Sequence, residues 1–222
     1  KPKEDIFDLL SRSKRPIIIA GNGIHLSGGK SEFKDFIEKY NIPFAATFLA
    51  TDFLPVSHPL YVGRLGLKGT RAGNFAVANS DLVISIGSSL SIPVVGFNYK
   101  MFAREAKIVA IDIDALEHKK DTITVDSIIE SDAKDFMINM LSSYICSTDW
   151  VEKCGSWKRK WHPFDRDDIG ELNMYSFSKA ISELAKGRNS AVITDAGSAY
   201  YVLAQTVEES RLILPSAQGE MG

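Results

Sequence analysis

Pro16-Ile17-Ile18-Ile19-Ala20, followed at once by Gly21-Asn22-Gly23, is the stretch that decides the fold. A short run of β-branched apolar residues that meets a glycine pair indicates a buried strand entering a tight turn. The residues after this turn place an apolar face on a helix, at spacings of i, i+3, i+4 and i+7: Phe33, Phe36, Ile37 and Tyr40. A strand followed by an amphipathic helix is the repeating half of a parallel α/β unit.

The same alternation continues along the chain. We predict further strands at 43–47, 81–87, 106–113 and 125–129, and a helix over 72–79. Near-continuous apolar runs are typical of strands that are covered on both faces. Asp132 is predicted to cap a helix whose inner face holds Phe136, Met137, Met140, Leu141 and Tyr144. We therefore expect an α/β fold, with a Rossmann-like parallel sheet, helices on both faces and right-handed crossovers.

The chain is predicted to contain two domains joined by a linker. Residues 1–145 form the first α/β domain, and residues 146–174 form the linker. The linker holds all three tryptophans, and because flexible linkers contain few tryptophans we expect it to pack along a surface. Trp157 and Trp161 are more easily explained by such packing than by stacking on a ligand.

Residues 175–222 begin a second α/β domain. They contain a helical apolar face, a strand at 191–195, a helix at 199–206 and a strand at 212–214; the face consists of Phe177, Ala180, Ile181, Leu184 and Ala185. The chain starts without methionine and stops on a glycine-punctuated stretch just after an apolar strand. We therefore expect a fragment of a longer protein, truncated within this second domain.

Composition excludes several classes of protein. The 222 residues are 45% hydrophobic and 24% charged, with a formal net charge of -2, which is ordinary globular usage. That balance gives no electrostatic footprint for nucleic acid or an anionic membrane, and no apolar run approaches the roughly 18 residues of a membrane span. The two cysteines make neither a disulfide framework nor a metal site, so we expect a reducing cytoplasm.

Gly21 and Gly23, directly after the first strand, are candidate nucleotide contacts. The dinucleotide fingerprint requires a third glycine where Leu26 stands, and an acidic residue about twenty positions on, which is also absent. Three interpretations remain open: an NAD site, a tight turn without ligand, and a turn whose amides approach some other nucleotide.

Two further groups could contact a nucleotide. Gly66, Lys68, Gly69 and Thr70 lie in a glycine-rich loop before a predicted helix, where amides and a cation could meet a phosphate. A solvated loop is the alternative. Asp112 and Asp114 end a predicted buried strand, where a carboxylate can accept a hydrogen bond from a ribose hydroxyl. For Asp114 alone, a helix-capping role is the simpler explanation. The residue chemistry thus predicts a binder of a nucleotide-sized ligand, with no visible acid, base or nucleophile.

The motifs together resemble a known family. Residues 44–63, the loop Leu65-Gly66-Leu67-Lys68-Gly69-Thr70, the strand at 80–87 and Ile111-Asp112-Ile113-Asp114 look like the central domain of thiamine-diphosphate enzymes of the acetolactate synthase group. Residues 193–198 and 216–222 are similar to the start of that family's diphosphate-binding domain. This resemblance covers nearly the whole chain, in the expected order.

The resemblance implies a nucleotide site in the central domain. In the family this domain holds FAD or another ADP-containing group. The positions that hold it match the glycine turn (Gly21 and Gly23), the glycine-rich loop (Gly66, Lys68, Gly69 and Thr70) and the strand end (Asp112 and Asp114). One stretch departs from the family. The acetolactate synthases carry a charged segment that contacts the flavin, where this chain has the uncharged residues 88–95. The departure argues against FAD and favours a relative that acts on a different 2-keto acid.

The resemblance also implies a share of a thiamine diphosphate site. Gly197 and Ser198 match a loop at the cofactor, and Gly219 would accept a hydrogen bond from its 4'-amino group. Met221 would be the apolar wedge that bends the cofactor; taken alone, it is better explained as core packing. The Mg2+ ligands and the catalytic glutamate are expected outside residues 1–222, so this stretch holds no catalytic residue and we expect it to be inactive by itself.

The parent protein is thus predicted to be a carboligase or decarboxylase acting on a pyruvate-like 2-keto acid. Because the family assembles its cofactor between two subunits, the resemblance implies a homodimer or homotetramer. The alternative from another functional class is a non-catalytic regulatory module that binds an adenine nucleotide.

Overall fold

A parallel sheet of six strands forms the centre of the molecule. The computed structural model describes residues 5–163, 173–195, 197–207 and 211–214. In chain order the elements are α1 (Ile6–Arg12), β1 (Pro16–Ala20), α2 (Gly23–Leu26), α3 (Lys30–Tyr40), β2 (Phe44–Ala46), β3 (Tyr61–Arg64), α4 (Arg71–Ala78), β4 (Leu82–Ile86), α5 (Ile92–Val95), β5 (Lys107–Asp112), β6 (Ser127–Glu130), α6 (Ala133–Asn139), α7 (Thr148–Lys160), α8 (Met174–Ala185), β7 (Ala191–Ile193), α9 (Ser198–Thr206) and β8 (Arg211–Ile213). Short 3₁₀ turns lie at Phe48–Ala50, Tyr99–Met101 and Glu117–Lys119.

The strand order in the sheet is β3-β2-β1-β4-β5-β6, and all neighbouring pairs are parallel. The order reverses between β1 and β4, because the chain builds one half of the sheet outward from β1 and then returns to build the other. The C-terminal ends of these two strands therefore flank a crevice, which is where open α/β sheets bind ligands. The predicted Rossmann-like fold is confirmed.

The central strands are buried because helices cover both faces of the sheet. Every residue of β1 and β4 is buried, and Ile18 of β1 is in register with Ile84 of β4. On one side the predicted apolar face of α3 packs into the core, with all four of its apolar residues buried. In the described part of the chain, no helix has both the length and the apolar character that crossing a bilayer requires.

Several elements differ from their predicted form. β3 was not expected, since Gly63 and Arg64 interrupt its apolar character, but the strand lies at the sheet edge, where a short run suffices. Helix α6 ends at Asn139. The inner face predicted for it therefore continues only to Met140, and Leu141 is exposed. Asp132 caps α6 as predicted, by accepting hydrogen bonds from the amides of Lys134 and Asp135.

Helix α7 lies in the first half of the predicted linker. It begins at the Ser147 cap and packs on α4 and β3. Trp157 and Trp161 both set their rings edge-on against Phe75 of α4, at centroid distances of 5.0 Å. The expectation that these two tryptophans serve packing is confirmed.

The C-terminal elements form a smaller unit. β7 and β8 pair in parallel, and α8 packs on α9. The apolar face predicted for α8 is only partly buried here, because Ser178 and Ser182 face α9 while Phe177 and Leu184 are exposed among the described residues. Ser182 donates to the carbonyl of Thr206, so this helix pair is joined by polar contacts as well as by packing. The division into domains 1–145, 146–174 and 175–222 stays a prediction.

Candidate functional site

A cavity of about 470 Å³ opens at the C-terminal ends of β1, β4 and β5. Its wall includes Asn22 and Gly23 after β1, Gly87 to Ser89 after β4, and Asp112 at the end of β5. Two helix starts contribute through Ser91 before α5 and Asp132 before α6. The cavity therefore lies at the point where the strand order reverses, and its size is in the range of small-molecule and cofactor sites.

The glycine turn after β1 lies directly against the turn after β4. Gly21 donates its amide to the Ile86 carbonyl, and Gly23 donates to the Gly87 carbonyl, each at 2.9 Å. A Cβ atom at Gly21 would lie 2.1 Å from the Gly87 oxygen, and one at Gly23 would lie 2.6 Å from Gly87 Cα. Close backbone packing thus accounts for both glycines, as the tight-turn interpretation expects. Gly23 additionally lines the cavity, whereas Gly21 does not.

Asp112 is the predicted acidic residue that reaches the cavity. Its Oδ1 accepts a hydrogen bond from the Asp114 amide at 3.1 Å, and its Oδ2 lies 3.2 Å from Nε2 of the buried His118. Burial acts to raise the pKa of Asp112, but these hydrogen bonds outweigh it and lower the pKa below its ordinary value. Asp112 therefore faces the cavity as a carboxylate whose orientation is held by two donors.

Asp114 does not line the cavity. It is exposed, and its Oδ1 accepts from the amide of Leu116 at 2.9 Å, two residues further on. This contact closes a local turn and does not cap a helix, because Leu116 and not Asp114 is the N-cap residue of the following 3₁₀ turn, so the helix-capping explanation for Asp114 is wrong. The residue that helps to hold Asp112, His118, was missed because its spacing of six residues follows no known motif.

The glycine-rich loop after β3 lies apart from the cavity. Gly66, Lys68, Gly69 and Thr70 are all absent from its wall. Thr70 caps α4 by accepting from the amide of Gly73 at 3.2 Å. The exposed Lys68 has its ammonium 4.9 Å from the ring of Tyr201 in α9.

The same loop is closed by hydrogen bonds of its own. Asn74 of α4 donates to the Gly66 carbonyl at 2.9 Å and accepts from the Gly66 amide at 3.0 Å. Gly69 approaches the β3 end so closely that a Cβ there would lie 2.5 Å from the Arg64 carbonyl oxygen. The loop thus uses its amides and glycines for packing, both within itself and against Pro93, whose carbonyl accepts from the Leu67 amide at 2.9 Å. The structure brings Gly23 and Asp112 together and leaves this loop aside.

Arg64, at the end of β3, is fully buried and was not singled out by the sequence. Its Nε, Nη1 and Nη2 atoms have no hydrogen-bond partner among the described residues. The guanidinium carbon lies 2.9 Å from the ring centroid of Phe48 and 5.9 Å from that of Tyr200. Burial lowers the pKa of Arg64 to about 9, so the group still carries its charge at neutral pH.

The balance of energies at Arg64 is unfavourable without a counter-ion. A desolvated cation–π contact contributes about 2 kcal/mol. An ion taken out of water without a partner costs several kcal/mol after relaxation. The signal that could have exposed this residue is its position in Tyr61-Val62-Gly63-Arg64, where a strand would carry the arginine out of solvent.

The described wall of the cavity contains two carboxylates, Asp112 and Asp132, and no lysine, arginine or histidine. Its other polar groups are hydroxyls and backbone amides, including those of Ser88, Ser89 and Ser91. This donor set suits a ribose and a base, which need hydroxyl and amide partners. Lys120 reaches the rim, where it donates to the Ser89 carbonyl and pairs with Glu117.

The predicted thiamine diphosphate contacts are described only in part. Gly197 has φ +82°, a backbone conformation that favours glycine, and it precedes α9. Space in the direction of its missing Cβ is open to 4 Å, and Ser198 beside it is exposed. A ligand could therefore approach this backbone closely. Gly219 and Met221 lie outside the described residues.

Two contacts join the C-terminal unit to the cavity side of the sheet. Tyr200 of α9 lines the cavity and stacks on Phe48, with ring centroids 4.9 Å apart. Asp52 pairs with Arg211, and its Oδ1 lies 3.1 Å from Nε2 of His25, next to the glycine turn. Although burial opposes ionisation, the bonds from His25 and Arg211 lower the pKa of Asp52. The nucleotide-sized cavity is thus bordered by residues from both parts of the chain.

The residues that the structure describes offer neither a cluster of metal ligands nor a reactive thiol. Within 5–163, 173–195, 197–207 and 211–214, no three His, Cys, Asp or Glu side chains form a group that could hold a metal ion. Cys146 and Cys154 are buried free thiols, and burial raises their pKa values to about 11 and about 12. Neither cysteine is therefore a reactive thiolate at neutral pH.

Comparison with known proteins agrees with the fold. The family model "Thiamine pyrophosphate enzyme, central domain" matches residues 4–140. A probable acetolactate synthase large subunit of Methanococcus aeolicus is 34% identical over 89% of this chain and 37% of its own length. The acetolactate synthase large subunit of Lactococcus lactis is 34% identical over 99% of this chain and 39% of its own length.

A less similar relative matches the same share of the chain. The acetolactate synthase isozyme 2 large subunit of Escherichia coli is 26% identical over 99% of this chain and 40% of its own length. The chain thus spans about two fifths of the relatives that it matches. With its parallel sheet, its strand order and this family match over more than half of its residues, the chain belongs to the thiamine pyrophosphate enzymes, and residues 4–140 correspond to their central domain.

Proposed function

We propose that the chain is part of a thiamine-diphosphate-dependent carboligase or decarboxylase that acts on a pyruvate-like 2-keto acid. The observation that carries this proposal is the family match over residues 4–140. It is supported by relatives named acetolactate synthase whose similarity continues through 99% of the chain, including the C-terminal unit.

The central domain would bind an ADP-containing group in the cavity at the β1–β4 crevice. Asp112 would accept a hydrogen bond from a ribose hydroxyl, and the amides around Gly23 would lie along the ligand. The wall from Ser88 to Val94 is uncharged, which favours an adenine nucleotide over the flavin of FAD. The other predicted nucleotide contacts would act indirectly, because they shape the turns around the cavity. They are Gly21, Gly66, Lys68, Gly69, Thr70 and Asp114.

The C-terminal unit would form one side of the thiamine diphosphate site. The amides of Gly197 and Ser198 lie at the start of α9, where the helix dipole favours an anionic diphosphate. Gly219 and Met221 would orient the aminopyrimidine. When bound, the cofactor supplies a nucleophilic thiazolium carbon for the keto carbonyl. Mg2+ would be held by residues outside this chain segment.

Assembly and location follow from the same family. Because the resemblance implies a cofactor site shared by two subunits, we expect a homodimer or homotetramer. The buried unpaired thiols of Cys146 and Cys154 suit a reducing cytoplasm.

The test is an assay of the full-length protein with thiamine diphosphate, Mg2+ and pyruvate. We expect CO2 release that depends on thiamine diphosphate, and a panel of other 2-keto acids ranks the substrates. Omission of the cofactor is the control. If no 2-keto acid is consumed under any of these conditions and ADP binds tightly, the result would instead support the non-catalytic nucleotide-binding module.

A further inference from the structure

Arg64 combines a buried charge with complete lack of hydrogen bonds among the described residues. All three of its guanidinium nitrogens are inaccessible to solvent, and no residue that the structure describes pairs with them. Buried charges in proteins are normally paired with a counter-ion or a set of acceptors. A side chain of this kind indicates that an anion belongs beside it.

The position of Arg64 connects this missing anion with the cavity. The ring of Phe48 covers the guanidinium, and the ring of Tyr200 stacks on Phe48 with an angle of 20° between the two planes. Phe48 and Tyr200 are themselves part of the cavity wall. A single aromatic ring therefore separates the cation from the cavity.

The charge of the cavity wall also requires a cation. Its described lining contains Asp112 and Asp132 but no basic side chain, so a bound anion would meet two like charges there. Besides Lys120 at the rim, Arg64 is a cation behind this wall that could offset these carboxylates. Its backbone is held in β3, and its carbonyl accepts from the Thr70 amide at 2.9 Å, so the arginine is anchored behind the ring.

We propose that Arg64 binds an anionic group, a phosphate or a carboxylate, of the ligand in this cavity, and that Phe48 covers the guanidinium until the ligand moves the ring aside. The assignment depends on the cavity wall and not on the activity proposed above. A binding measurement tests it independently of turnover. The competing explanation is that Arg64 only packs on Phe48.

The first experiment compares the full-length protein with its Arg64→Met variant. Binding of ADP, inorganic diphosphate and pyruvate is measured by calorimetry, and the thermal midpoint is measured without ligand. We expect at least one anion to bind about tenfold more weakly to the variant, since a charge-assisted hydrogen bond is lost. The ligand-free midpoint should rise, because an unpaired buried charge is replaced by an apolar side chain of similar length.

The three ligands distinguish the possible sources of the anion. Weaker binding of ADP and diphosphate assigns a phosphate, and weaker binding of pyruvate alone assigns a carboxylate. Arg104→Met is the matched control, because Arg104 is exposed and its one ion pair among the described residues is with the neighbouring Glu105 at 3.7 Å. It should change neither the affinities nor the midpoint.

A second variant, Phe48→Ala, keeps the test decisive if Arg64→Met does not fold. Removing the ring exposes the guanidinium to the cavity, so the affinity for the same anion should increase severalfold. Unchanged affinities in both folded variants, or wild-type protein that binds none of the three anions, would overturn the proposal. A lower thermal midpoint of Arg64→Met with unchanged affinities for all three anions would also overturn the proposal, because this is the result expected if Arg64 only packs on Phe48.

Discussion

The turn after β1 and the loop after β3 have similar glycine-rich sequences, but only the first borders the cavity at the β1–β4 crevice. The first turn presents Gly23 to the cavity while its backbone packs on Gly87. The loop after β3 is closed by the two hydrogen bonds between Asn74 and Gly66. Glycines therefore mark close backbone approach in both regions, and the neighbouring strands decide whether a ligand can enter. At the reversal of strand order the chain continues from β1 to β2 and from β4 to β5, on opposite sides of the crevice, whereas α4 packs directly on β3.

The first prediction addresses the open turn and has the largest expected effect. Gly21→Ala places a Cβ 2.1 Å from the carbonyl oxygen of Gly87, directly after β4, and backbone atoms cannot move aside without disrupting this strand end. We expect a loss of about 3 kcal/mol or more in the free energy of unfolding. Thermal or urea unfolding measures it.

Gly155→Ala is the matched control for this substitution. Gly155 lies within α7, and its nearest obstacle is the end of the Arg159 side chain at 3.3 Å. Alanine should stabilise this helix by up to about 1 kcal/mol. Equal stabilities of Gly21→Ala and wild type would show that the two turns do not pack as described.

The second prediction addresses the closed loop. Asn74→Ala removes both hydrogen bonds to Gly66, so we expect a loss of about 2 kcal/mol in the free energy of unfolding. Nucleotide affinity should stay the same, because the loop does not line the cavity. Asn98→Ala is the control, since Asn98 is exposed and makes no capping bond through its side chain. A strong loss of ADP affinity in a stable Asn74→Ala protein would contradict the contrast between the two regions.

The third prediction concerns Asp112 and has the smallest effect. Asp112→Asn should weaken ADP binding by about fivefold, the loss expected for one weakened hydrogen bond to a hydroxyl. Glu105→Gln, an exposed change of the same kind, should leave ADP binding unchanged.

The free energy of unfolding should depend on pH through the ionisation of the same carboxylate, Asp112. The pKa of Asp112 is lower in the folded protein than in the unfolded chain, so its ionised form stabilises the fold at neutral pH. This contribution is lost as the pH falls from about 4 through the lowered pKa of the folded state. Wild type should therefore be more stable than Asp112→Asn at pH 7, and the two should converge in acid. A constant difference across this range would contradict the hydrogen bonds assigned to Asp112.

Local pattern was sufficient to predict the central strands and the packed face of α3. Runs such as Pro16–Ala20 are specified by their own apolar character, and Asp112 could be placed at a strand end for the same reason. β3 was missed because an edge strand needs little apolar character, and α6 was predicted too long because a helix end depends on the turn that follows.

Arg64 shows what local pattern cannot reveal. An arginine among glycines normally indicates a solvated loop, and only the pairing of β3 with β2 and the contact from Phe48 bury it. Tyr200 is similar, since it joins the cavity region through its contact with Phe48. The chemistry of the site thus depends on pairings between segments that are distant in the sequence.

Helix α7 has a practical consequence for dividing the polypeptide. Trp150 donates its indole N–H to the Pro16 carbonyl at 2.8 Å, and both Trp150 and Cys154 belong to the main apolar core. A polypeptide cut after residue 145 would leave β1 without that donor and open the core to water. Recombinant expression of the six-stranded unit alone should therefore extend to residue 163, so that helix α7 remains attached.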